Sequence, residues 1–114
     1  MWEKLENVFL RTGLDYARQG SYADDAELPT SFFTFWNFDT PNDSYYDNHE
    51  HRRIWHWRVY YYTKDPSTIY TMLDTLISYA KAEGFIPEGV GVDVATDTPD
   101  YIGRMITLKY IETD

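Results

Sequence analysis

One cluster in the sequence has the residue types to hold a metal: His49-Glu50-His51, with Asp47 just before it and His56 just after. Imidazole nitrogens and carboxylate oxygens are ligands for zinc and its neighbours, and histidines at i and i+2 can chelate from one side of a strand. The spacing matches no zinc motif, and the trio stands at the mouth of an acidic segment where histidines fall close by chance. Solvated loop histidines account for it, so no metal and no other cofactor is expected. Nucleophilic chemistry finds no better footing. No serine stands in a G-x-S-x-G elbow, there is no glycine-rich phosphate loop, and the chain has no cysteine. Gly89-Val90-Gly91 is too short to cradle a phosphate and reads as a bend into a strand. The expectation is a protein that is not an enzyme.

Charge and aromatic content point to contacts instead. Residues 21–50 carry Asp24, Asp25, Glu27, Asp39, Asp43, Asp47 and Glu50 and no Lys or Arg. Such a run is ordinarily a solvated face; its functional alternative is a negative surface that lines a channel or meets a basic partner. Over the whole chain, 10 Lys and Arg stand against 19 Asp and Glu, a net charge of −9. Duplex binding draws its affinity from neutralising phosphates, so specific DNA binding is disfavoured, whereas close passage of DNA is not. Eleven tyrosines among 114 residues lean toward an interaction protein, because tyrosine is enriched at interfaces. Trp55 and Trp57 are assigned to the core. Tyr45, Tyr46, Tyr60 and Tyr62, with Asp39, Asp43 and Asp47, are the candidate interface residues.

The elements that must position these residues follow from periodicity. Trp2, Leu5, Val8 and Phe9 share one face of a short helix that Gly13 can end. Leu14–Arg18 alternates weakly as a short strand, residues 19–30 form a loop, and Ser31–Phe38 is strand-like in composition and length. Residues 39–52 are polar and without period, a long loop. Ile54–Thr63 is the clearest strand. Trp55, Trp57, Val59 and Tyr61 lie on its core face; Ile54, His56, Arg58, Tyr60 and Tyr62 lie on the other. Asp65-Pro66 opens a helix with an N-cap and an N1 proline, and the stripe Ile69, Leu73, Leu76, Ile77 and Ala80 carries it to Gly84. Residues 85–94 read as a loop followed by a short strand, 96–100 as a turn, and Arg104–Ile111 as the last strand. The result is one α+β domain over residues 1–114. Its mostly antiparallel sheet has four or five strands, and two helices cover one face. No segment is long and apolar enough to span a membrane, and the first residues lack a secretion signal, so the protein is expected to stay where it is made.

Four features in order resemble a known family. An N-terminal helix precedes Leu28-Pro29 and the aromatic strand Ser31–Phe38. Ser44-Tyr45-Tyr46-Asp47-Asn48 stands ahead of the strand Ile54–Thr63. The Asp65-Pro66 helix ends in Ala82-Glu83-Gly84-Phe85, and Tyr101-Ile102-Gly103-Arg104-Met105-Ile106-Thr107-Leu108 closes the chain. Nearly the whole chain thus resembles the tail-terminator, or tail-completion, proteins of long-tailed bacteriophages and prophages, also described as head-tail joining proteins. The resemblance implies a structural subunit without catalytic residues that forms a homo-oligomer, a hexameric ring, on the tail tube. Its partners would be the major tail tube protein and the head-completion or connector protein, with DNA passing through the lumen without specific binding. It would assemble in the bacterial cytoplasm and reside in the tail-neck region of the virion.

Two structural alternatives stand beside this reading: another phage neck component, such as a head-closure or adaptor protein, and an acidic module that grips a basic partner. A small hydrolase or metal enzyme would need a bound metal or a cleft with perturbed titrating groups. The 39–52 loop, longer than a hairpin needs and carrying the Tyr45-Tyr46 pair, is expected to work at an assembly interface.

Overall fold

The computed structural model describes residues 2–18, 29–38, 53–96 and 100–112. In chain order these form α1 (Trp2–Thr12), β1 (Asp15–Arg18), β2 (Ser31–Phe38), β3 (Arg53–Thr63), a 3₁₀ turn (Pro66–Thr68), α2 (Thr71–Ala82), β4 (Ile86–Val94) and β5 (Ile102–Glu112). The five strands make one sheet in the order β1-β2-β3-β5-β4. β1 runs parallel to β2, and every other pairing is antiparallel. The expected α+β class, with a mostly antiparallel sheet and two helices packed against it, is what the chain adopts.

Both helices pack on one face of the sheet, and the core lies between. From α1 come Leu5, Val8 and Phe9; from α2 come Leu73, Leu76, Ile77 and Ala80. They meet Phe33 and Phe35 of β2, Trp57, Val59 and Tyr61 of β3, and Ile106 and Leu108 of β5 in one continuous cluster. The period-2 pattern of the strands delivers these side chains to one face, and each fully buried Leu or Phe contributes about 1.5–3 kcal/mol. Trp57 is buried and packs on Trp2 of α1 and on Phe35, with both ring centroids 6.1 Å away. Trp55 shares that face but is only half-buried, stacked beside Trp57 at the rim. The strand face was therefore read correctly, with Trp2 of α1 packed on Trp57.

Two elements differ from their sequence-based expectation. The Asp65-Pro66 start does not open α2 directly. Asp65 accepts hydrogen bonds from the Ser67 N–H (3.0 Å) and hydroxyl (2.7 Å), but the turn it caps is 3₁₀, and α2 begins at Thr71. The cause is the pair Ser67-Thr68. The Thr68 hydroxyl lies 3.0 Å from the Asp65 carbonyl and 2.8 Å from the Tyr61 hydroxyl, holding the chain in a tight turn instead of an α-helical one. At the other end Gly84 has φ +97°, and the Phe85 N–H reaches back to the Ala80 carbonyl (3.0 Å), the left-handed stop expected there.

The second difference is β4. Residues 86–94 form a nine-residue strand where a loop and a short strand were expected. Glu88 pairs with Thr107 and Val92 with Met105, so residues 89–91 of β4 stand opposite Ile106 alone. Gly89 and Gly91 take positive φ in this bulge (+89° and +99°), and the strand passes through the glycines instead of breaking at them.

Candidate functional site

Of the seven candidate interface residues, Asp39, Asp43, Tyr45, Tyr46 and Asp47 lie outside the described residues, as do His49, Glu50 and His51. The expectation that the 39–52 loop is an assembly surface lies there too. The remaining two, Tyr60 and Tyr62, lie on the face of β3 turned away from the helices. Their rings stack in parallel, with centroids 6.0 Å apart and planes 3° from each other. Both are half-buried rather than exposed. Tyr62 contacts Phe32 (5.4 Å between ring centroids) and fills the space a side chain would take at Gly103, where a Cβ would meet its ring at 2.8 Å.

Cross-strand rows on this face follow from the register. Phe38, His56, Lys109 and Ile86 form one row; Trp36, Arg58, Thr107 and Glu88 form the next. Arg58 lies over the rings of Phe38 (4.6 Å) and Trp36 (5.3 Å), a cation–π placement that holds the guanidinium flat on the sheet. His56 stacks near Phe38 (5.3 Å), and its Nε2 lies 3.7 Å from a Glu88 carboxylate oxygen. Among the described residues no group of three or more His, Asp or Glu is placed to hold a metal ion.

The more open surface is the β4 edge, which sequence reasoning missed. Among the described residues β4 pairs with β5 only. Its side chains Ile86, Val90 and Val92 are 47%, 77% and 53% exposed, and on the helix-bearing face of the same region Tyr70 and Ile102 are exposed as well. Large aliphatic side chains exposed on an edge strand favour contact with another chain. The signal was present in Val90, Val92 and Val94, which alternate with Gly91 and Asp93. The glycines that mark a bulge disguised it as a loop.

Arg104 makes this edge rigid. Its guanidinium donates to Asp93 (2.7 Å) and to the bulge carbonyls of Gly91 (2.9 Å) and Val90 (3.4 Å), and it lies over the Tyr70 ring at 4.7 Å. The bulge thus has its loose carbonyls satisfied from within the molecule. Next to it a groove of about 400 Å³ opens between the 3₁₀ turn and the strand ends, lined in part by Ile69, Tyr70, Val94 and Ile102. Asp93, Thr96 and Tyr101 also line it, so it joins an apolar floor to a polar rim. No protein-family model matches the chain, and no curated protein does.

Proposed function

We propose that the chain is a structural subunit of a long-tailed phage or prophage, a tail-terminator protein that assembles into a hexameric ring capping the tail tube. The observation that carries this reading is the rigid aliphatic edge of β4, a surface built for another chain rather than for a small substrate. The chain-long resemblance described above supplies the identity of the assembly. The α+β fold with both helices on one face agrees with that resemblance and leaves the sheet edges to make the contacts. In this reading the ring stops tube growth and offers its other side to the connector. Its net charge of −9 lets DNA slide through without being held.

The test is electron microscopy of growing tail tubes, made from the major tail tube protein that this reading makes the partner, with and without the purified protein. Tubes that stop growing and carry a ring at one end are the expected result. Tubes of unchanged length with bare ends would reject the proposal. Tight one-to-one capture of a single basic protein by a lasting monomer would favour the acidic binding module.

A further inference from the structure

Among the described residues β4 is one edge of the sheet and β1 is the other. The register places matching features of the two edges at the same level. Asp15, Phe32, Tyr62, Gly103 and Val94 form one row across all five strands; Ala17, Thr34, Tyr60, Met105 and Val92 form another. Extending the sheet from one copy to the next along these rows sets Ala17 beside Val92 and Asp15 beside Val94. β1 would then run antiparallel to the neighbour's β4, matching the pairing that prevails in the sheet.

The helix-bearing side of the two edges is also complementary. Tyr16 of β1 donates to the Glu6 carboxylate at 3.1 Å, so the Glu6 side of α1 is turned toward the β1 edge. Leu10, one helical turn on from Glu6, shares that stripe and is 61% exposed. At the opposite edge, the groove beside Val94 and Ile102 lies at the same end of the sheet. Arg18 of β1 lies over Phe35 (5.5 Å) and therefore on the helix side, as does Asp93, which is bound to Arg104 but still largely exposed. Along the rows Asp93 falls at the level of Tyr16, so Arg18 would stand diagonal to it on the same face.

We propose that a second copy of this chain is the occupant of the β4 edge: its β1 continues the sheet, and its Leu10 seats in the groove at Ile69, Tyr70 and Ile102. The contact is head-to-tail, using two different surfaces, and repeated contacts of that kind make a ring when the rotation from copy to copy closes. A β4-to-β4 pairing around a two-fold axis would instead bring together two strands whose own charged side chains, Glu88 and Asp93, are all acidic. The inference rests on the ring reading for its biological setting, while the surface can be tested without it.

The chain has no native cysteine, so engineered cysteines report contacts directly. The double variant Ala17→Cys/Val92→Cys should cross-link under mild oxidation into a ladder that extends beyond dimers. Neither single variant should do so. Leu10→Gln, at a site exposed in the monomer, should keep the parent melting temperature and weaken self-association by about tenfold or more. Dimers from Val92→Cys alone would overturn the proposal in favour of two-fold pairing. Rings that persist in Leu10→Gln, with no ladder from the double variant, would overturn this surface and leave the ring reading standing. A ladder from a protein that never caps tubes would uphold the surface and remove the tail assignment.

Discussion

Single residues divide into those whose chemistry was legible from spacing and those that required the fold. Trp57 was legible, since an alternating strand can put it only with Val59 and Tyr61. Its burial against Trp2 and Phe35 makes truncation costly: Trp57→Ala should lose about 3–5 kcal/mol in denaturant unfolding. Trp55→Ala should lose less than half of that, because the indole sits at the rim. Equal losses for the two would mean that Trp55 is buried in solution. Gly91 was not legible. Nothing in Gly-Val-Gly distinguishes its two glycines, yet the structure separates them sharply. A Cβ on Gly91 would stand 2.6 Å from a Leu73 methyl and 3.2 Å from the Arg104 guanidinium, whereas one on Gly89 would meet nothing within 4 Å. Both have positive φ, so each alanine variant bears a backbone penalty of about 1–2 kcal/mol. Gly91→Ala should cost clearly more than Gly89→Ala, and thermal melts of the pair would expose an error in the bulge.

Elements were legible where a period was unbroken and were misread where side chains competed with the backbone. α1 and β3 match to within a residue or two because their apolar positions recur at helix and strand spacing, and β2 because its aromatic run is strand-like in composition and length. The start of α2 and the course of β4 do not, and the causes are local: Ser67-Thr68 favour a 3₁₀ turn, and two glycines hide a strand in its own bulge. The turn yields a test with a definite sign. The Ser67 hydroxyl and then its N–H bond to the Asp65 carboxylate and hold its pKa below the ordinary value. A depressed carboxylate adds stability that is complete above the unfolded pKa of about 3.9 and is lost as the pH falls through the lower folded value. The melting-temperature gap between the parent and Asp65→Ala should therefore be constant near neutral pH and close below about pH 4. A gap unchanged down to pH 2 would show that the carboxylate charge plays no part in the cap.

At the scale of the whole molecule the decisive quantity is the net charge of −9, read directly from composition. It sets two salt dependences of opposite sign. Copies brought edge to edge by the proposed contact would repel one another as whole bodies, while the surfaces meeting on the helix-bearing side would be Leu10 and the groove at Ile69, Tyr70 and Ile102. Salt screens the repulsion, with a Debye length falling from about 30 Å at 0.01 M to about 8 Å at 0.15 M, and leaves apolar burial intact. Self-association measured by sedimentation should therefore strengthen as salt rises over that range. Duplex DNA behaves in the reverse way: any residual attraction comes from a few Lys and Arg meeting phosphates, and it weakens as salt rises. Fluorescence anisotropy with a labelled duplex should show no binding at 0.15 M salt. Association that instead weakened with salt would mean that ion pairs such as Arg18 with Asp93 dominate the contact over its apolar part. In that case Arg18→Gln, rather than Leu10→Gln, would be the substitution that dissolves the assembly.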